Sequence, residues 1–288
     1  MCNKYVIIRQ LGSPKKLEKI MSILNRIVDI KRQEVSYLKQ QLSLEQIKQQ
    51  ALEYIKQSPS RDFIQAIKNK HDNNQSAVIA EIKQASPSKG IICNNFVPAE
   101  IAIAYQQNGA SCLSVLTEEQ YFKGKIEYLQ QAKLVTSLPV LRKDFIIDEY
   151  QIYQSALIGA DAILLIASIL DEKQMIKFEE IAHSLNLAVL PEIHHENELD
   201  KAIKLKTPLL GINNRNLQTF AVDLAQTINL LPKISNKIIV TESGILDKND
   251  VELMHSHQVK TFLVGEAFMK KDTPAEIGQA LHQLFYSL

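Results

Sequence analysis

Glu81 and Lys83 stand two residues apart in 76–83 (SAVIAEIK), a run that is otherwise apolar and rich in β-branched residues. In a strand that spacing puts both side chains on one face, with Ala80 and Ile82 on the other. Carboxylate and ammonium then form an ion pair with restricted access to water. Their attraction favours the charged form of each, and burial opposes it. On an exposed strand an E-x-K means little; inside an apolar one it marks a place where charge is wanted. Other apolar runs close the same way. Glu118 ends 111–118, Arg142-Lys143-Asp144 falls in 139–145, and Glu192 in 188–194. Asn213-Asn214-Arg215 closes 209–215, and Glu242-Ser243 closes 237–243 ahead of Gly244. A scaffold gains nothing from carboxylates, cations and amides at so many run ends, so these residues form the candidate site.

Two further features suit a ligand. Ser86-Pro87-Ser88-Lys89-Gly90 is a small, polar, turn-forming stretch able to enclose a substrate, with Pro87 as a rigid apolar wall. Gly244 and Gly265 lie where the last two runs end, a region whose backbone N–H groups and helix N-terminus can hold a phosphate. The histidines point to no metal. His255 and His257 are two apart in a helical stretch and do not share a face, and His194, beside Glu192, has no cluster at metal spacing. Neither G-x-G-x-x-G nor G-K-[ST] occurs, which argues against those two routes to nucleotide binding.

The runs carrying these residues recur with one rhythm. Strand-like segments at 76–83, 111–118, 139–145, 162–168, 188–194, 209–215, 237–243 and 261–268 each precede a helical one. The helical segments are 98–109, 125–135, 148–159, 171–186, 196–205, 222–231, 248–257 and 273–285, with acids in a first turn at Asp171-Glu172 and caps expected at Asp247 and Thr273. Strands separated by helices pair in parallel, and eight such units are the number that closes a barrel. Working residues then belong at the carboxyl ends of the strands, where the charged residues fall.

The expected fold class is α/β: a (β/α)8 TIM barrel over 76–288 with an N-terminal helical extension over 1–75, a single domain overall. In the extension, Leu17, Ile20, Met21, Leu24, Ile27 and Ile30 keep helical spacing within 15–42. Shorter helices are expected at 44–57 and 62–69, followed by a polar loop over 71–75. The extension is expected to cover one end of the barrel. Residues 1–20 are expected to be dispensable, so deleting them should leave Tm nearly unchanged.

Composition narrows the setting. With 33 Lys+Arg against 32 Asp+Glu, the net charge of +1 offers nothing to nucleic acid or an anionic membrane. The 45% hydrophobic and 23% charged content is that of ordinary globular proteins. Cys2, Cys93 and Cys112 are odd in number and lack a C-x-x-C spacing, which suits a reducing, cytoplasmic compartment. No apolar run approaches the roughly 18 residues of a membrane span. Tryptophan is absent.

The run from Ala80 through Glu81, Lys83, Pro87 and Lys89 to Gly90 resembles the signature of the indole-3-glycerol phosphate synthase family. Leu141-Arg142-Lys143-Asp144-Phe145, Leu190-Pro191-Glu192-Ile193-His194, Gly211-Ile212-Asn213-Asn214-Arg215-Asn216-Leu217 and Thr241-Glu242-Ser243-Gly244-Ile245 agree with it, in order, from about Met21 to the C-terminus. The resemblance implies a barrel enzyme of tryptophan biosynthesis using no cofactor or metal. Such an enzyme converts 1-(2-carboxyphenylamino)-1-deoxyribulose 5-phosphate to indole-3-glycerol phosphate, releasing CO2 and water.

The resemblance carries Glu81, Lys83, Lys143, Glu192, Asn213, Arg215, Glu242 and Ser243 onto the site. Lys143 is then expected to protonate the ketone oxygen, and Glu192 to stabilise charge on the anilino nitrogen. Glu81 and Lys83 suit the base and acid of dehydration, though Lys83 could instead contact the substrate carboxylate or phosphate. Asn213 would position Lys143 or the hydroxyls, Glu242 and Ser243 would bind hydroxyls, and Arg215 would hold ligand or loop. Backbone at Gly244, Gly265 and Glu266 would take the phosphate, with the Glu266 carboxylate turned away. Pro87, Phe122, Phe145, Leu164, Ile166 and Leu217 would line the aromatic slot, Phe122 and Phe145 from exposed loops. The expected partner is a phosphorylated small molecule and the expected state a monomer, with weak association with other enzymes of the pathway left open. Two rivals share the phosphate end: a sugar-phosphate isomerase or epimerase, which needs fewer charged groups, and a non-catalytic barrel, which would lack one of them.

Overall fold

The computed structural model describes residues 14–217 and 219–287. Most of the segment expected to be dispensable, and Cys2 with it, therefore lies outside the described residues. The extension forms α1 (Pro14–Gln41), α2 (Leu44–Gln57) and α3 (Phe63–Asp72). Ser43 and Gln46 cap α2 reciprocally, each side chain meeting the other's backbone N–H, and the Asp62 carboxylate accepts from Gln65 N to start α3. α3 runs on to Asp72, through the first residues of the loop expected from 71.

Beyond the extension, β1 (Ala77–Ile82) leads into a short antiparallel hairpin, β2 (Ala85–Ser86) and β3 (Gly90–Ile91), whose turn is the turn-forming stretch expected there. Next come β4 (Cys112–Leu116), β5 (Val140–Lys143), β6 (Ala162–Ile166), β7 (Ala188–Ile193), β8 (Leu209–Asn213), β9 (Ile238–Glu242) and β10 (Thr261–Val264). β1 and β4 to β10 close a barrel of parallel strands, with β10 back against β1. The helices between them are α4 (Pro98–Gln107), α5 (Ile126–Val135), α6 (Glu149–Leu157), α7 (Glu172–Ser184), α8 (Leu199–Ala202), α9 (Ala225–Leu230), α10 (Lys248–Ser256), α11 (Glu266–Met269) and α12 (Pro274–Phe285). Asp247 and Thr273 cap their helices through a side-chain oxygen, as expected, and Asp171, expected within the first turn, caps its helix in the same way. The helices expected at 196–205 and 222–231 are shorter. A 3-10 turn precedes α8, and α9 ends in another at Leu231–Lys233, where Pro232 has no N–H to continue the ladder. The last strand stops at Val264 rather than 268, and α11 follows from Gly265.

Alternation along the strands divides inside from outside. Val78, Ala80 and Ile82 face outward to pack with Ile101, Tyr105 and Leu281 of the surrounding helices. The inward residues build layers supplied by alternate strands. One layer consists of Ile79, Leu141, Leu190 and Val240, from β1, β5, β7 and β9. The two buried cysteines described, Cys93 and Cys112, are free thiols.

The extension reaches both ends of the barrel, not one. Phe63 and Ile67 of α3 are fully buried against Ala77, Cys112 and Leu209 at the amino ends of the strands. Such side chains stabilise by roughly 1.5–3 kcal/mol each. α1 meanwhile crosses to the carboxyl-terminal mouth. Its Lys31 ammonium lies 3.1 Å from Asp144 Oδ1, and Lys39 bonds Asp148 at 2.8 Å.

Candidate active site

Two residues beyond Ile79, Leu141, Leu190 and Val240 stand Glu81, Lys143, Glu192 and Glu242. The period of two that directs the apolar layer inward directs these inward too, so the next layer up, at the mouth, is charged. Lys143 is its hub. Its Nζ lies 2.9 Å from Glu192 Oε2 and 2.5 Å from Glu242 Oε2, reaching carboxyls on β7 and β9 from β5. Burial works against its charge, but Glu192, Glu242 and Glu81 outweigh that and hold the ammonium above the usual lysine range. The carboxyls divide unequally. Burial alone would raise Glu192, yet Lys143 and His194 draw it well below the usual carboxylate range. Burial and the neighbouring Glu192 charge push Glu242 well above that range, against the pull of Lys143. The surroundings thus favour the charged form at Glu192 more than at Glu242, whose buried Oε1 has no hydrogen-bond partner among the described residues.

The next step up each strand repeats the alternation. Lys83, two beyond Glu81, pairs with the Glu81 carboxylate as the spacing predicts. His194, two beyond Glu192, places Nε2 3.1 Å from Glu192 Oε1 with its side chain almost wholly buried. Sequence reasoning dismissed His194 as a metal ligand and overlooked this second role, although the E-x-H spacing matches the E-x-K that singled out Lys83.

These groups floor a pocket of about 680 Å3. Its walls include Pro87, Phe122, Phe145, Leu164, Ile166 and Leu217, and its rim includes Asn213, Arg215, Ser243, Gly244, Gly265 and Glu266. Phe122 and Phe145 are half-buried and not exposed, their ring centroids 6.1 Å apart across the pocket wall. Ile23, Leu24 and Ile27 of α1 supply apolar lining that the sequence did not assign to the site. Two glycines make room for carboxyls. A Cβ on Gly211 would come within 2.5 Å of Glu242 Oε1, and one on Gly265 within 2.5 Å of Glu81 Oε2. At the rim the Glu266 carboxylate gathers Lys270 at 2.9 Å, Arg215 at 3.2 Å and Lys89 at 3.3 Å. Partial burial would raise its pKa, but Lys270 and Lys89 bring it down to about 2.

Other strand-end residues of the candidate set work elsewhere. The Glu118 carboxylate accepts from the backbone N–H groups of Gln120, Tyr121 and Phe122, so it shapes the loop that presents Phe122 instead of entering the pocket. The Asn214 amide donates to Thr241 Oγ1 and to the carbonyls of Glu242 and Ser243, fastening β8 to the end of β9. Arg142 points out of the barrel to Gln151, Gln154 and Ser155 of α6 and to Asp144. Burial would raise Asp144, yet Lys31 and Arg142 hold it down to about 2.

Comparison with known proteins places this geometry among relatives. Residues 24–283 match the family model described as indole-3-glycerol phosphate synthase. A protein of that name from Neisseria meningitidis is 56% identical over 258 residues, covering 89% of this chain and 98% of the relative. One from Burkholderia lata is 51% identical over 265 residues, covering 92% and 99%. Among solved structures, the tryptophan synthase α subunit of Legionella pneumophila superposes with a TM-score of 0.56 at 13% identity, covering 76% of this chain and 97% of that one. That likeness speaks for the barrel fold alone.

Proposed function

The chain belongs to the indole-3-glycerol phosphate synthase family, carboxy-lyases of tryptophan biosynthesis, and from that premise we propose how its own residues perform the reaction. It converts 1-(2-carboxyphenylamino)-1-deoxyribulose 5-phosphate to indole-3-glycerol phosphate, CO2 and water. The observation that carries the proposal is a single ammonium, Lys143, held between Glu192 and Glu242 on the floor of a pocket with aromatic walls.

Lys143 donates to the substrate's ketone oxygen, making that carbon electrophilic. An ammonium held so firmly acts first as a hydrogen-bond donor and yields its proton as alkoxide character develops. The aromatic carbon bearing the carboxylate attacks, forming the C–C bond, and positive charge grows on the anilino nitrogen. Glu192, ionised at 2.9 Å from Lys143, stabilises that charge. Loss of CO2 returns the electron pair to the ring. Lys83 then protonates the departing hydroxyl while Glu81 takes the proton that completes the indole, an exchange suited to their direct pairing. Asn213 orients Lys143 or the sugar hydroxyls, and Glu242, with Ser243, binds hydroxyls. Arg215 stabilises the rim. The phosphate rests against the backbone of Gly244, Gly265 and Glu266, near Lys83, and the aromatic half fills the slot formed by Pro87, Phe122, Phe145, Leu164, Ile166 and Leu217.

The odd number of cysteines without a C-x-x-C spacing supports a cytoplasmic setting for the chain, which is taken to act as a monomer, and sedimentation at working concentration tests that state. The decisive assay mixes protein and the ribulose phosphate substrate and follows indole fluorescence, which the absence of tryptophan leaves unmasked. Turnover lost in Glu192→Gln with little change in KM supports the role of Glu192; an unchanged kcat overturns it.

A further inference from the structure

We infer that His194 is the positioning residue for Glu192, the group that keeps this carboxylate ionised and aimed while Lys143 is engaged with substrate. The inference rests on the roles proposed above for Lys143 and Glu192. In the resting site Lys143 neutralises Glu192 from one side, bonding Oε2 at 2.9 Å. Once Lys143 gives up its proton to the ketone oxygen, a neutral amine faces a buried carboxylate, just when Glu192 must be charged to meet the anilinium. A buried carboxylate without a cation or donor tends to take up a proton. Glu242 lies beside Glu192 and its hydrogen bond favours the charged form there, but its own Oε2 depends on Lys143 at 2.5 Å and so faces the same loss.

His194 stands on the opposite side, at Oε1, and its placement is built. Its backbone N–H donates to Glu198 Oε2 at 2.6 Å, and its carbonyl accepts from Gln226 Nε2 at 2.8 Å. The main chain is therefore pinned from two directions. The ring is almost fully buried, lines the pocket, and has no hydrogen-bond partner of good geometry among the described residues. Nε2 is nonetheless 3.1 Å from Glu192 Oε1, close in distance but off the hydrogen-bond line. A small rotation of ring or carboxylate completes an Nε2–H donation to Oε1. Burying two unpaired ring nitrogens is costly unless the site uses one of them. Lys83 stands in the same relation to Glu81, two residues on along β1.

The test compares His194→Leu, His194→Asn and His194→Gln with wild type, alone and in the Glu192→Gln background, by steady-state turnover and thermal unfolding. Leu removes the donor, Asn keeps an amide too short to reach Oε1, and Gln restores a donor near the position of Nε2. Leu and Asn should each lower kcat by about 100-fold with KM little changed, the scale of a misplaced catalytic group. Gln should regain most of that loss. In the Glu192→Gln background, Leu and Asn should change kcat by less than about threefold, because a residue acting through Glu192 has nothing left to act on. Leu or Asn retaining kcat within about twofold of wild type overturns the inference, as does an equal loss in both backgrounds. If Leu fails to fold, the Asn and Gln pair decides by the same criteria. Glu192→Gln by itself retaining full turnover would instead overturn the role of Glu192, a distinguishable failure.

Discussion

Arg142, Lys143 and Asp144 are consecutive, yet they belong to two buried ion clusters with opposite designs. Arg142 and Asp144 join the clamp to α1 and α6, where two cations, Lys31 and Arg142, meet one carboxylate. That carboxylate is fully used, accepting also from Thr117 Oγ1 at 2.6 Å and Phe145 N at 2.8 Å. Lys143 points inward, where one cation meets two carboxyls and Glu242 Oε1 has no hydrogen-bond partner among the described residues. Both clusters are paid for in desolvation. In the clamp, geometry satisfies every oxygen and the proton positions are settled. At the mouth one ammonium is divided between two carboxyls whose charged forms are favoured unequally, so the charge of a ligand bears on both. Saturated pairing makes scaffold, and unsaturated pairing makes chemistry.

The sharpest way to break this contrast is Lys143→Ala. kcat should fall by about 10²–10⁴-fold while Tm moves only a few degrees, because Glu192 and Glu242 can take up protons when the ammonium goes. Turnover close to wild type would remove Lys143 from the chemistry. Asp144→Asn should invert the pattern. It strands two buried cations, so urea unfolding should show a loss of about 3–5 kcal/mol, and the folded fraction should keep most of its turnover. A kcat loss matching Lys143→Ala at unchanged stability would erase the distinction between clusters. Acid titration adds a signature of the clamp. With the folded pKa of Asp144 at about 2 against an ordinary 3.8, its contribution is fully present above the ordinary value and disappears as pH falls through the folded one. The stability gap between wild type and Asp144→Asn should therefore shrink by about 2 kcal/mol over that interval, and a gap independent of pH would contradict the assignment.

Gly211→Ala probes the mouth without touching a charged residue. Its methyl would lie 2.5 Å from Glu242 Oε1 and 3.2 Å from the Pro191 carbonyl, so Glu242 must move. A kcat loss of about 10–100-fold is expected, partly recovered by adding Glu242→Asp, whose shorter side chain relieves the contact. No recovery would mean that the methyl acts on the backbone instead. The smallest effect belongs to the wall: Phe122→Ala should raise KM by about tenfold through lost apolar contact, with kcat within a few-fold of wild type.

Much of this was legible beforehand because barrel strands alternate with period two. Counting βα units was enough for the fold, and reading strand ends named the members of the charged layer along with others. Where the reading stopped short, it had treated residues by class and not by face. Glu118 and Asn214 sit at strand ends like the others, but their side chains turn back to backbone groups of their own and neighbouring loops. His194 was weighed only as a metal ligand, although it lies on the same face as Glu192. The extension was expected at one end because helical periodicity shows that a helix has an apolar face, and not how many surfaces three linked helices can reach.

What the sequence by itself determined is local. Strand and helix alternation, reciprocal caps, the inward direction of Glu81, Lys143, Glu192 and Glu242, and the i, i+2 pairing of Glu81 with Lys83 all follow from backbone periods of a few residues. Tertiary structure decided which of those charges meet. Lys143 and Glu242 are 99 residues apart, and only closure of the barrel brings them together. That closure also sets which carboxyl is favoured in its charged form, why Gly211 and Gly265 have no side chain, and how α1 comes to wall a site built by the barrel. The physical reason is that a strand's period is dictated by its own backbone sterics, whereas desolvation and Coulomb energy depend on neighbours that exist only after the strands have joined.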